Sequence, residues 1–162
     1  MNEPRTALVT GGARRIGAAI VRALAADGWA VAIHCRTSVN EAHALATELR
    51  TNGGHAAVVT GDLADLYALR AIFPAANAAL GPVTLLVNNA SVFLKDRFGG
   101  LDAATWQTQF DVNLRAPVFL AEAFAAQLPD GMEGNIINMI DQRVWNPTPA
   151  MPSYALSKAA LW

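Results

Sequence analysis

Short apolar runs alternate with helical patterns along the whole chain. Thr6–Val9 is apolar and β-prone, and beyond the glycines that follow it an alanine-rich pattern predicts a helix over Ile16–Ala26. Asp27-Gly28 ends that helix, with glycine just past the cap. Ala30–Cys35 is a second strand, rich in apolar and β-branched residues. Asn40–Leu49 reads as a helix broken by Asn52-Gly53-Gly54, and Ala56–Thr60 as a third strand. Leu66–Leu80 reads as a helix interrupted near Pro74, followed by strand Val83–Val87. A long helical region runs from Thr105 through Leu128, with Pro117 expected to kink it or mark a local break. Asn135–Met139 is a fifth strand, and Pro149 to Ser153 lead into a last helix. Strands alternating with helices imply right-handed β-α-β units and a parallel sheet. The expected fold is therefore α/β, with ligands seated beyond the C-terminal ends of the strands where their order reverses.

Composition narrows the class of function. The 162 residues suit one domain, and 53% hydrophobic content is ample for a core. Net charge is −1 and no cluster of Lys and Arg exceeds a pair, which gives a nucleic-acid or membrane-surface role no electrostatic support. Cys35 is the single cysteine and lies in an apolar run. It argues against an internal disulfide or a multi-cysteine metal site, fits a reducing compartment, and reads as a packed core thiol. The opening of the chain carries no basic segment followed by an apolar stretch, and no apolar run approaches membrane-spanning length, so a cytoplasmic protein is expected. No repeat, low-complexity tract or linker divides the chain.

Two motifs carry chemistry. In Leu8-Val9-Thr10-Gly11-Gly12-Ala13-Arg14-Arg15-Ile16-Gly17, a strand turns through glycines into a helix. Glycines let backbone approach a pyrophosphate, and the free N–H groups and dipole at a helix N-terminus attract its charge. Tyr154 and Lys158, four residues apart near the start of the last helix, share one helical face. A cation near a phenol favours the phenolate, so Lys158 is expected to lower the tyrosine pKa and ready it for proton transfer. At the end of the second strand, where an acid would favour NAD, the chain has Arg36, Thr37 and Ser38. With Arg14 and Arg15 in the glycine turn, these groups favour a 2′-phosphate and hence NADPH. His34 reads as a packed or half-buried side chain, and His43 and His55 as surface residues.

Thr-Gly-x-x-x-x-x-Gly at Thr10–Gly17 with Tyr-x-x-x-Lys at Tyr154–Lys158 resembles the short-chain dehydrogenase/reductase family. Leu85-Leu86-Val87-Asn88-Asn89-Ala90 is similar to its Asn-Asn-Ala segment after the fourth strand. Asp62, with Leu63 beside it, matches the acidic residue that faces the adenine, and Asn113 matches the active-site asparagine. The resemblance spans about Thr6 to the end of the chain. It implies a Rossmann-type doubly wound parallel sheet in a single domain. It also implies that Tyr154 donates a proton beside the carbon receiving hydride, Lys158 binds the nicotinamide ribose, and Asn113 supports a water relay.

The family's usual serine, thirteen residues before the tyrosine, is here Asp141. A carboxylate beside a carbonyl oxygen opposes the charge that develops during hydride addition. Reduction of C=N differs, because protonated nitrogen is a cation that a carboxylate stabilises. Asp141, the Arg15-Ile16-Gly17 ending of the glycine motif, Asn89-Ala90-Ser91-Val92-Phe93 and Ile136–Asp141 together resemble the pteridine reductases, including the dihydromonapterin and dihydrofolate reductases of this fold. That likeness implies a pterin site shaped by Arg15 and Phe93, with Ser91 near the cofactor phosphates. Simple packing under Lys95–Gly100 is the alternative for Phe93, and capping of the next turn the alternative for Asp141.

Two other readings stand beside a pterin reductase: a general carbonyl reductase of the same fold, and a cofactor-binding but inactive fragment. The second follows from the ending at Trp162, inside the helix that carries Tyr154 and Lys158. Family members continue past this point with further strands and a substrate-covering loop, and their usual oligomer, a homo-oligomer, also uses this helix. The sheet is thus expected to be incomplete on its C-terminal side, and the chain alone to keep a nucleotide-binding half with little reductase activity.

Overall fold

The structure, a computed structural model, describes residues 5–162. Residues 1–4, part of the opening segment expected to carry no leader, lie outside the described residues. Five parallel strands form one sheet: β1 (Thr6–Val9), β2 (Ala30–Cys35), β3 (Ala56–Thr60), β4 (Val83–Asn88) and β5 (Asn135–Asn138), in the order β3-β2-β1-β4-β5. This is the doubly wound Rossmann order, and the direction of winding reverses between β1 and β4. Side chains alternate across the sheet with period two. Val9, Val31, Ile33 and Val87 pack toward α1 (Arg15–Ala26) and α2 (Val39–Thr51). Leu8, Ala32, Val83 and Leu86 pack toward α3 (Leu66–Leu80) and α5 (Ala116–Gln127). Each strand is therefore apolar nearly throughout, as burial on both faces demands.

Three of the expected strands match their observed ends, and Asp27-Gly28 ends α1 as expected, with Gly28 at φ +81°. Pro74 does not interrupt α3. Pro74 and Arg70, whose carbonyl the missing N–H would have met, are both exposed, so water can solvate that carbonyl without loss of the helix. The expected long helix over Thr105–Leu128 is instead three segments: α4 (Ala103–Phe110), a π-helical turn over Asp111–Arg115, and α5. Pro117 sits in the first turn of α5, where a proline is tolerated, and the irregularity is moved upstream to the turn holding Asn113. The last helix, α6, spans Pro152–Leu161. Among the described residues no helix is long and apolar enough to cross a membrane.

Replacing Leu86, fully buried on the interior strand β4, as Leu86→Ala should cost about 2–5 kcal/mol of stability. Tyr67→Ala, at a residue 87% exposed, should shift stability by less than about 0.5 kcal/mol. Urea unfolding of both variants measures the contrast.

Candidate active site

The glycine turn is built by a contact that excludes every side chain. A Cβ on Gly17 would lie 2.1 Å from the Gly11 carbonyl oxygen and 2.7 Å from Asn89 Nδ2. Gly11 takes φ +61°, a conformation that glycine adopts without strain. Arg15 follows at φ +51°, an uncommon conformation for a residue with a Cβ. The turn is fastened to the end of β4. Asn89 Nδ2 donates to the carbonyls of Thr10 (2.9 Å) and Gly11 (3.2 Å), while the N–H groups of Asn89 and Ala90 both donate to Thr10 Oγ1 at 3.0 Å.

These ties open a cavity of about 540 Å³ at the reversal point between β1 and β4. Gly11, Arg14, Arg15 and Ile16 line one side of it, and Asn89, Ala90 and Ser91 another. Arg36, Asp62 and Leu63 close the far end. Arg14 leans on Glu41 and Arg36 on Asp62, both at 3.7 Å and both well exposed. Such pairs are weak, so a phosphate can compete for either guanidinium. Thr37 and Ser38 stand beside Arg36 at the start of α2 but do not line the cavity, and the Ser38 side chain makes no capping hydrogen bond. The first turn of α1 has neither a side-chain cap nor an acidic residue, which leaves its N–H groups to a ligand. Free helix donors, a side-chain-free turn and three nearby guanidinium groups fit a phosphate-bearing ligand.

His34 lies beneath this turn, 2% exposed. Gly11 N–H donates to its Nδ1 at 3.3 Å, and its Nε2 lies 3.2 Å from the Gly61 carbonyl. Nδ1 must therefore be the acceptor and Nε2 carry the proton, which defines a neutral imidazole. Burial pulls its pKa down to about 4, against smaller upward contributions from the Gly61 carbonyl and Asp62.

A second cluster adjoins the cavity through Ser91. Tyr154 Oη donates to Asp141 Oδ2 at 2.9 Å, and the other carboxylate oxygen, Oδ1, accepts the N–H of Arg143 at 2.9 Å. Capping of the next turn and pairing with the tyrosine thus coexist, one on each oxygen. Burial alone would raise the Asp141 carboxyl, but the Arg143 N–H, the phenol, and the charges of Arg143 and Lys158 together bring it below its ordinary value. Tyr154 is pushed up to about 12 by burial and then by its hydrogen bond to, and the charge of, Asp141. The expectation that Lys158 lowers this pKa is corrected here: Asp141 stands against the phenol, and Lys158 Nζ donates to the Met139 carbonyl at 2.9 Å. Lys158 itself is lowered by burial, partly offset by Asp141.

Asn113, fully buried, uses every hydrogen-bonding position of its amide. Nδ2 donates to the Val92 carbonyl (2.9 Å) and Ser157 Oγ (3.1 Å). Oδ1 accepts from Ser91 Oγ (3.0 Å) and Val92 N–H (2.8 Å). No capacity remains in the side chain for a relay water. Phe93, 49% exposed, meets the Tyr154 ring edge-on with centroids 4.6 Å apart. Asp96 accepts from Ser153 N–H and Oγ at the start of α6, and its carbonyl accepts from Met151 N–H at 3.1 Å.

The roles of Thr10, Asp96, Arg143 and Ser157 are not visible in the sequence. Arg143 follows Asp141 by two residues, a spacing that signals a tight turn but no partner.

Residues 5–162 match the profile of the short chain dehydrogenase family. The chain belongs to that family. Among solved structures it is similar to FolM alternative dihydrofolate reductase 1 from Brucella canis, complexed with NADP, at 49% identity and TM-score 0.94, covering 98% of this chain and 63% of that one. It is also similar to a short chain dehydrogenase from Burkholderia cenocepacia in complex with NADP, at 37% identity and TM-score 0.90, covering 97% of this chain and 64% of that one. Galactitol 2-dehydrogenase of Agrobacterium fabrum is 32% identical over 158 residues, 97% of this chain and 60% of the relative. The chain thus spans less than two thirds of the length of each.

His34 supplies a pH test. With a folded-state pKa of about 4 against an ordinary 6.5, the imidazole binds its proton more readily in the unfolded chain. Its contribution to stability is therefore full above about pH 6.5 and is lost as pH falls toward 4, by up to about 1.4 kcal/mol per pH unit. Urea titrations across that window should show the slope in the parent and a flatter one in His34→Gln.

Proposed function

We propose that this protein is an NADPH-dependent reductase acting on a C=N bond of a pterin or dihydrofolate-like substrate. The observation that carries the reading is the 2.9 Å hydrogen bond from Tyr154 to Asp141, with a carboxylate where the family's usual serine would stand. The likeness to the Brucella FolM reductase supports it.

The glycine turn, the N–H groups of α1 and the arginines of the cavity would hold the dinucleotide, with Arg36 the lining cation that would meet the 2′-phosphate and the hydroxyls of Thr37 and Ser38 next to it in the chain. Bound nicotinamide supplies the hydride. Tyr154 keeps its proton through the neutral range, since burial and Asp141 both oppose the phenolate, and so serves as donor to the substrate nitrogen. Asp141 favours the cationic iminium that this transfer forms and disfavours a carbonyl oxyanion at the same place. Lys158, held by the Met139 carbonyl, adds a positive charge that helps keep the Asp141 carboxylate ionised. Asn113 orders the Ser91–Phe93 segment and α6, and Phe93 offers an aromatic face to a planar ring.

Tyr154→Phe should reduce turnover of a dihydropterin by about 10²–10⁴-fold with NADPH affinity unchanged. In a full-length enzyme, Asp141→Ser should depress dihydropterin turnover while sparing or improving reduction of a simple ketone. Steady-state kinetics on both substrates checks this, and equal loss on the two would reject C=N selectivity. For the nucleotide, calorimetry should find NADPH bound more tightly than NADH, and Arg36→Asp should move that ratio toward NADH by roughly tenfold or more. Tighter NADH binding by the parent would overturn the cofactor assignment.

A further inference from the structure

Arg143 stands outside the motifs and touches two of the groups that surround the phenol. Its backbone N–H donates to Asp141 Oδ1 at 2.9 Å, and its Nη1 lies 3.5 Å from the same oxygen. Oδ1 is thereby taken up by Arg143, and Oδ2 is left facing Tyr154. The same guanidinium lies over the Phe93 ring, with Cζ 5.6 Å from the centroid, and Phe93 in turn meets Tyr154 edge-on. Arg143 Nε is buried without a hydrogen-bond partner, so this cation is held in place despite a donor that the surrounding protein does not satisfy.

We propose that Arg143 is a positioning residue for this site: its guanidinium keeps Asp141 ionised and aimed at Tyr154, and holds Phe93 in register with the phenol. A planar cation can do both, with an edge toward the carboxylate and a face toward the ring. The charged and titratable groups facing Asp141 are Arg143 on its own turn and Tyr154 and Lys158 on α6. Lys158 also contributes its charge but donates to the Met139 carbonyl, whereas the Arg143 guanidinium stands 3.5 Å from the carboxylate itself. Its charge also opposes the upward pull of Asp141 on Tyr154. Removing it therefore weakens the carboxylate's hold on its charge and tightens the phenol's hold on its proton.

The consequences for turnover rest on the reductase reading, whereas the titration of Asp141 does not. Carboxyl carbon NMR, with the signal assigned through Asp141→Asn, follows that titration in the intact 162-residue chain. In Arg143→Gln, Asp141 should titrate at higher pH than in the parent, and the acid limb of the pH profile for dihydropterin turnover should move in the same direction. Arg143→Lys keeps a charge but loses the planar face. It should leave the Asp141 titration and the pH profile in place while raising KM for dihydropterin severalfold. An Asp141 titration unchanged in Arg143→Gln overturns the proposal, even if the parent turns over no pterin. Should Arg143→Gln fail to fold, Arg143→Lys decides alone: a KM equal to the parent's overturns the proposal, and a raised KM with an unmoved pH profile supports it.

Discussion

The approach of Gly17 to the Gly11 carbonyl is the constraint on which the site depends. With no room for a single carbon between them, the first turn of α1 is drawn against the end of β1, and the chain reverses within a few residues. That closeness leaves backbone N–H groups facing the reversal point of the sheet instead of a side chain. Thr10 and Asn89 then tie the turn to β4, so the two strands that flank the reversal end in one hydrogen-bonded unit. His34 supports the unit from below as a neutral imidazole, accepting from Gly11 and positioned to donate to Gly61. The cavity is defined by this backbone scaffold, and Arg14 and Arg36 at its rim lean only on exposed acidic partners.

A second centre organises the cluster around Tyr154. Asn113 sits in a π-helical turn, a local widening of the helix of the kind that frequently marks functional sites. Its saturated amide links Ser91 and Val92 after β4 with Ser157 on α6. Ser91 belongs both to the cavity wall and to this network. The nucleotide cleft and the Tyr154–Asp141 pair are therefore set relative to one another by one buried side chain rather than by the sheet alone.

Much of this was legible in the order of the residues. Strand runs apolar on both faces, glycines between strand and helix, and the Tyr-x-x-x-Lys spacing are local signals with few structural solutions, and they place the cavity at the correct end of the sheet. The departures have physical causes. Pro74 reads as a breaker because proline lacks an N–H, but on an exposed helical face water takes up the freed carbonyl. Pro117 does mark an irregularity, one turn earlier than its own position, because the chain adjusts before the ring rather than at it. The direction of the Tyr154 shift was unreadable from spacing alone. It depends first on how deeply the phenol is buried and then on which charged neighbour lies nearer it, and the second is a matter of the turn at Asp141–Val144 rather than of the helix. Partners such as Arg143 and Asp96 escape sequence reading for the same reason: their contacts cross between loops that only the tertiary fold brings together.

The Asp96 latch has a consequence for motion. Asp96 holds Ser153 by its carboxylate and Met151 by its carbonyl, and Arg97 bridges Ala150 alongside. The segment that carries Phe93 and the segment that leads into Tyr154 are thus coupled at their far ends by this latch and at their near ends by Asn113. A loop held at both ends has few independent soft modes. Thermal fluctuation is therefore expected to move Phe93 and Tyr154 as one body, keeping their ring contact while the pair shifts against the sheet.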